Sequence, residues 1–445
     1  MQPDLIVIGG GAAGMAAALF AARSGARVAL LERNEKLGKK VYITGKGRCN
    51  VTNLCDVEEF LRNVPRNPRF LYAALHRLPP EALLALLNSL GCATKIERGR
   101  RAFPVSDKAS DVTRALTHGL MQAGVDIRLH TRVSHILLSE NAVRGVALEN
   151  GATLPARAVI VCTGGLSYPS TGSTGDGYRM AEESGLAVIP CRPSLVGLTT
   201  AEAWPKALQG LSLKNVRLTG RARGKTLYAE LGEMLFTHFG ISGPLALELS
   251  AHLPENGQAD AELDLKPGLT EEQLDARLRR ELAAAPRRHL AAVLTSLLPG
   301  RLADAFPALC GVDGSVGCSQ VSAAQRKRIV AALKHLPLTI DGARPIAEAI
   351  ITRGGVDVRA LSPATMASRA VQGLYFAGEM IDVDAHTGGY NLQIAFSTGA
   401  LAGKARQGFC NPDTRGRCLY AVYHSGSGVE PAPVLFLPRL QKRRQ

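Results

Sequence analysis

With 445 residues, 46% of them hydrophobic, 20% charged and 46 of them glycine, the chain is too long for one ordinary core and too apolar for a disordered or fibrous protein. Its formal charge of +15 raises nucleic acid as a partner, but Arg62, Arg66, Arg69, Arg77, Arg217, Arg221 and Arg223 stand singly without interleaved aromatics, so a solvated basic surface is expected and stable nucleic-acid binding is not. Nine cysteines with no CxxC pair and no zinc-like Cys/His spacing point to reduced thiols in a cytoplasm, with no metal site and no dithiol reductase.

Leu5 to Ala22 is an uncharged run that could mimic a membrane span. Asp4 and the glycines inside the run argue instead for a strand, Leu5 to Ile8, a turn and a helix, Ala12 to Ala22, and no membrane is expected. Arg27 to Leu31 completes a βαβ unit. Pro79-Pro80 opens a helix that Gly91 ends. A helix over Asp107 to Ala123 then leads to strands at Val125 to Leu129 and Val133 to Leu138. Val143 to Leu148 with Asn150-Gly151 reads as a hairpin with a type I′ turn, followed by a strand from Ala158 to Cys162.

From about Cys191 short strands and turns dominate (SLVGLTT, NVRLTG, ADAELDL), and from Thr270 to His335 the pattern is helical, with Thr270 and Gln273 forming a capping box. After Ile340 the alternation of apolar strand, glycine turn and helix resumes, with a strand at Leu374 to Ala377 and a helix from about Asn391 to Arg406. The expected architecture is one α/β, Rossmann-like domain made of residues 1–190 and 342–407. An insert, 191–341, interrupts it, β-rich over 191–268 and helical over 269–335. Residues 408–445, rich in Gly, Ser, Pro and Arg, read as a poorly ordered tail.

Gly9-x-Gly11-x-x-Gly14 lies between the first strand and helix, where glycines let backbone approach a pyrophosphate and the helix start offers N–H donors. Glu32 closes the second strand, placed to accept from a ribose diol. Both NAD and FAD carry that ribose. The far-end cluster Ala377-Gly378-Glu379, with Asp382 behind it, favours FAD, whose ribityl chain and ring need a second set of contacts. Asn391 to Gln393 begin a helix after Gly388-Gly389, aiming amides at a flavin carbonyl, a role compatible with the alternative that Asn391 is an N-cap.

Lys39, Lys40, Thr44, Lys46 and Arg48 form a cationic loop suited to a pyrophosphate or an anionic substrate. Cys49 has only Cys55 nearby, which suits packing better than redox cycling. Tyr168 and Tyr390 are possible stacking or donor groups, and His386, with His238 behind it, a possible acid or base. No second GxGxxG follows, so any nicotinamide would visit the flavin face transiently.

GGGAAG, TGKGRCNVTN (44–53), CTGGLSYPSTGSTGDGY (162–178), GEMLFTHFGISGP (232–244) and GLYFAGEMIDVDAHTGGYNLQIAFSTG (373–399) together resemble the bacterial aminoacetone-oxidase-like, or bile-acid-reductase-like, NAD(P)/FAD-dependent flavoproteins. The likeness runs from about residue 4 to 406. It implies a glutathione-reductase-type FAD domain whose insert has a β-barrel part and a helical part.

On both grounds the residues expected at FAD are Gly9, Gly11, Ala12, Ala13, Gly14, Glu32, Arg33, Lys40, Thr44, Gly45, Gly47, Arg48, Cys49, Asn50, Val133, Thr163, Gly164, Gly165, Gly378, Glu379, Asp382, Gly388, Gly389, Tyr390, Asn391 and Leu392, with His386 and Tyr390 as catalytic candidates. Ala385 stands where the family pattern has glycine. The expected activity is hydride exchange between the flavin and an amine or unsaturated carbonyl compound, with NAD(P)H as donor. The alternatives are an oxidase releasing hydrogen peroxide and a flavin-bound nucleic-acid partner. The substrate and the oligomeric state stay open.

Overall fold

The computed structural model describes residues 2–404, so the tail 408–445 and the expected helix end at 405–406 lie outside the described residues. Three fully buried strands, Leu5–Ile8, Val28–Leu31 and Ala158–Val161, read LIVI, VALL and AVIV. Continuous apolar runs of this kind suit a parallel sheet covered on both faces. The sheet has five parallel strands in the order Leu374–Phe376, Ala158–Val161, Leu5–Ile8, Val28–Leu31, Asp126–Arg128, with Leu5 paired to both Ala158 and Val28. The uncharged run is thereby explained as a strand and the helix Ala12–Arg23, and no described helix is long and apolar enough to cross a membrane.

Helix Ala12–Arg23 packs against the last helix, Tyr390–Gly403, with the backbones almost touching. A Cβ at Gly399 or Gly403 would lie 2.2 Å from the carbonyl oxygen of Ala13 or Ala17, respectively. Because 399 meets 13 and 403 meets 17, the two helices run in the same direction. Both N-termini therefore open on the same edge of the sheet, beyond the carboxyl ends of its strands, the usual place for a ligand in such folds.

The chain leaves this domain and returns through an antiparallel ribbon, Val188–Ser194 against Ile351–Val356. Beyond it lies a closed six-stranded barrel (Leu198–Thr200, Gly240–Ser242, Lys225–Thr237, Ser212–Ala222, Ala259–Asp264, Leu336–Ala343). Its apolar core is continuous with that of the helices Glu271–Ala284, Leu290–Leu294, Gly300–Leu309 and Ala323–Lys334. At the head of the first of these the capping box forms, Thr270 Oγ1 accepting from Gln273 N at 3.2 Å and Thr270 N donating to Gln273 Oε1 at 3.0 Å.

One turn differs from expectation. The residue pair with positive φ is Glu140-Asn141 (53° and 57°), joining Val133–Ser139 to Ala142–Leu148. At Asn150-Gly151 only Gly151 is left-handed (φ 83°), and its N–H donates to Leu148 O at 3.0 Å, so a three-residue loop replaces the type I′ turn.

Candidate functional site

One cavity of about 350 Å³ is lined both by the first glycine turn (Gly9, Gly11, Ala12, Ala13) and by the start of the last helix (Gly388, Gly389, Asn391, Leu392). Neither helix start carries a side-chain cap or an acidic residue in its first turn, so their N–H groups are left for a ligand. Gly9 sits at φ 96° against Cys162, and a Cβ on Gly14 would lie 1.8 Å from Gly9 O. Gly14 thus acts from beneath, by letting the helix close on the turn.

Beside the second strand the wall is Glu32, Arg33, Asn34, Thr131, Arg132, Val133 and Asp176. Glu32 Oε2 accepts from Gly10 N at 2.7 Å, and Oε1 from Asn34 N and Nδ2, both at 2.8 Å, which holds the carboxylate in place with lone pairs to spare. Asp176 accepts from Arg132 Nε at 3.0 Å and Arg33 Nη1 at 3.3 Å. Burial raises the Asp176 pKa, but the two arginines outweigh it and the group is held below the usual carboxylate range.

A part-buried ion pair forms another part of the wall. Lys40 Nζ donates to Glu379 Oε2 at 2.6 Å and Ser167 Oγ at 2.5 Å, while Glu379 Oε1 accepts from Ser167 Oγ at 2.7 Å and Thr352 N at 2.9 Å. Burial pushes the Glu379 carboxyl up, yet Lys40 and these donors pull it lower still, so it remains ionised.

The loop before the last helix is fastened from three sides. Asn67 Nδ2 donates to Asp382 O at 2.7 Å, Ser194 Oγ to Asp384 Oδ2 at 2.7 Å, and Thr387 Oγ1 to Glu248 Oε1 at 3.0 Å. The N-cap is Gly389, not Asn391. Asn391 instead staples the loop, accepting from Ala385 N at 2.9 Å and donating to Ala385 O at 2.7 Å. Ala385 is buried and has no positive φ, so the position needs no glycine.

His386 lines the cavity, and its Nε2 lies 2.9 Å from Nε2 of His252, on the barrel-side helix Pro244–His252. Burial lowers both imidazoles, His252 to about 4 with help from His386 and Arg353.

Other expected residues point elsewhere. Arg48 is taken up by Glu97 and by Asp107 Oδ1 (2.9 Å from Nε) and lies 4.2 Å over the Phe103 ring, away from the cavity wall. Tyr390 packs edge-on against Phe60 at 5.0 Å with its hydroxyl by Cys55, in a buried place that raises its pKa and removes it as a proton donor to the cavity. Cys49 is wholly buried, its thiol pushed up to about 12, which makes it inert. Gly47, Gly165, Asp382, Tyr168 and the exposed His238 do not line the cavity.

Lining residues beyond the expected set include Asn34, Arg132, Asp176, Ile351 and Thr387. Asp176 lies inside the glycine-rich TGSTGDG stretch and was open to notice. Arg132 had only its place before Val133.

These residues fit FAD. The two uncapped helix starts share one cavity, a Cβ on Gly11 would meet nothing within 4 Å, and Asn50 in the wall keeps a buried Oδ1 without a partner among the described residues. Residues 3–405 match the family model described as HI0933-like protein Rossmann domain. The chain is 33% identical over 396 residues to the ribosomal RNA dihydrouridine synthase of Escherichia coli (strain K12), covering 89% of this chain and 96% of that protein. It is 33% identical over 407 residues to the 3-dehydro-bile acid delta(4,6)-reductase of Clostridium scindens, covering 90% and 98%. The chain belongs to the HI0933-like Rossmann family and is an FAD-binding oxidoreductase.

Proposed function

We propose that this chain is a reductase that adds hydrogen across a carbon–carbon double bond conjugated to a carbonyl. The observation that carries the reading is the single cavity built from both ends of the chain, with one imidazole, His386, in its described wall. The names of both kinds of relative support it, since dihydrouridine and a delta(4,6)-reduced bile acid each arise by saturating such a bond.

FAD, when bound, supplies the hydride; the chain's own residues do the rest. The N–H groups at Gly11–Ala13 and the side chains of Glu32, Arg33 and Asp176 hold the nucleotide half. Lys40 and Glu379 fix a charge pair in the wall, and the N–H groups after Gly389 would favour a negatively charged group placed at that helix start. His386 provides the proton that the second carbon of the double bond requires. Leu195, Ile350 and Ile351 give the cavity an apolar side suited to excluding water. Reduced nicotinamide, visiting without a domain of its own, restores the reduced state.

The test is anaerobic rapid mixing of the dithionite-reduced protein with a 3-oxo-4-ene steroid, uridine, a small cyclic enone and an imine, followed by admission of air. Reoxidation of the flavin by an enone is the expected result. Reoxidation by oxygen alone, with stoichiometric hydrogen peroxide, would sink the reading in favour of an oxidase.

A second reading, that the conjugated bond lies in a uracil base within RNA, is favoured by the charge of +15 and by the rRNA-modifying relatives. It requires RNA binding whose logarithm falls linearly with that of salt concentration; no binding at physiological salt removes it.

A further inference from the structure

We infer that His252 is a positioning and relay residue that fixes the tautomer of His386 and replaces the proton His386 gives up. The inference rests on the reductase reading above. Two nitrogens 2.9 Å apart, as His252 Nε2 and His386 Nε2 are, can hold only one hydrogen between them.

The surroundings say which ring owns that hydrogen. Asn63 Nδ2 donates to Glu59 O at 3.0 Å, which turns the Asn63 amide so that its Oδ1 faces His386 Nδ1 at 3.4 Å, while His386 N donates to Asn63 O at 2.9 Å. A carbonyl-type oxygen beside Nδ1 calls for Nδ1–H. Neutral His386 then has a bare Nε2, and His252 Nε2–H must donate to it. Among the described residues His252 Nδ1 has no hydrogen-bond partner, and the ring is only partly buried, so solvent reaches it.

Burial favours the neutral form of both rings, with the positive Arg353 adding to it at His252. Arg353, on the strand Ile351–Val356, donates to Leu253 O at 2.7 Å and stands beside His252. Glu248, one turn back on the same helix as His252, is already engaged by Thr387 and by Tyr228 OH, each at 3.0 Å. Asp384 and Arg66, on the far side, face each other at 3.6 Å.

A neutral imidazole cannot release its only N–H without becoming an imidazolate, unless its other nitrogen gains a proton at the same time. The pair provides that second proton. As the substrate takes a hydride at one carbon and the His386 Nδ1 hydrogen at the other, His386 Nε2 takes the His252 Nε2 hydrogen, and His252 takes one from water at Nδ1. Once product has left, His386 Nδ1 takes a proton from water, the shared hydrogen returns to His252 Nε2, and His252 Nδ1 gives its hydrogen back to water, which restores the starting pair. The electron pair comes from reduced nicotinamide by way of the cofactor, and one proton leaves solvent for each double bond saturated. The Asn63 contact at 3.4 Å is the weaker of the two that hold the ring, and it is the one exchanged for substrate.

The experiment uses FAD-loaded wild type, H252Q, H252A and H386Q, each first checked for flavin content and thermal midpoint. Glutamine can still donate an N–H to His386 Nε2 but cannot pass a proton on. In ¹⁵N spectra of the imidazoles, wild type and H252Q are expected to show His386 as the Nδ1–H tautomer, and H252A a mixture. In rapid mixing with a 3-oxo-4-ene steroid, H252Q is expected to be reduced by NADPH or dithionite at the wild-type rate. Its reoxidation should be slower by roughly a hundredfold, the scale of a lost general acid. H252Q reoxidised as fast as wild type, or His386 carrying its hydrogen on Nε2, overturns the relay. A wild-type protein that no enone reoxidises overturns the reductase reading itself, while the tautomer spectra still decide the pairing.

Discussion

Replacing Lys40 by methionine keeps the length of the side chain and removes its charge, leaving the Glu379 carboxylate with only Ser167 and the Thr352 amide as donors. The side chains of the pair are 22% and 11% exposed and line the cavity, so water screens the orphaned charge only in part. Removing one partner of a fully buried pair typically costs about 3–5 kcal/mol, and partial exposure with two surviving donors puts this site below that range, at about 2 kcal/mol. Adding Glu379→Gln removes the uncompensated charge, and the double variant should recover all but about 1 kcal/mol of that loss.

The sign with pH follows from the direction of the shift. The Glu379 pKa is lowered in the folded protein, so the stability it contributes is complete above its ordinary value of 4.5 and is lost as pH falls below that. In the Lys40→Met variant burial raises the carboxyl instead, and the deficit should shrink as acid protonates it. The assay is urea unfolding of the flavin-free protein by circular dichroism, at neutral pH and again in mild acid. A Lys40→Met midpoint equal to wild type at neutral pH, or a double variant less stable than the single, refutes the reasoning.

Gly14→Ala forces a Cβ to within 1.8 Å of Gly9 O and should abolish flavin retention, whereas Gly11→Ala, with nothing within 4 Å, should fold normally and lose FAD affinity only through space taken from the cavity; equilibrium dialysis with FAD separates the two. Arg48→Ala should leave the FAD dissociation constant unchanged, because Glu97 and Asp107 hold the guanidinium off the cavity, and a tenfold weakening would contradict that placement. His252 is depressed from 6.5 to about 4, so the unfolded chain takes up a proton before the native one does, and stability should fall as pH drops through that window. His252→Gln should flatten the acid side of the stability profile there, and an unchanged profile would show that His252 does not titrate as described.

The nucleotide half of the site was legible because its signals are local. Strand, glycine spacing, helix and Glu32 follow one another within the first 32 residues, and each has a physical reason to be there. Barrel strands were harder to see. Lys225–Thr237 mixes Glu230, Gly232 and Glu233 into its apolar positions because one face is open to water, and Leu336–Ala343 alternates cleanly but carries Pro337. Arg48 looked like a phosphate ligand because it sits in a cationic, glycine-containing loop between Gly47 and Cys49-Asn50, and nothing near it in the chain announces Glu97 or Asp107, which arrive through tertiary pairing. His252 had no local signal at all, since its meaning depends on a partner 134 residues away.

That distance is itself informative about how the two parts of the chain cooperate. Glu248 and His252 are four residues apart on the helix Pro244–His252, so they share one face. On that face they meet Thr387 and His386, neighbours in the loop that leads into the last helix. A helix anchored in the barrel thus grips the loop whose next residues, Gly388 and Gly389, line the cavity. A ligand that shifts this helix acts on the imidazole in the cavity wall as well, because the described hydrogen-bond partners of the His386 ring are His252, at 2.9 Å, and Asn63, at 3.4 Å. The insert therefore reaches the His386 side of the cavity through two side chains. Substituting both, as Glu248→Gln with His252→Gln, should lower turnover more than either change alone while leaving affinity for ADP-ribose unchanged, if the wall of Glu32, Arg33 and Asp176 holds the nucleotide as proposed.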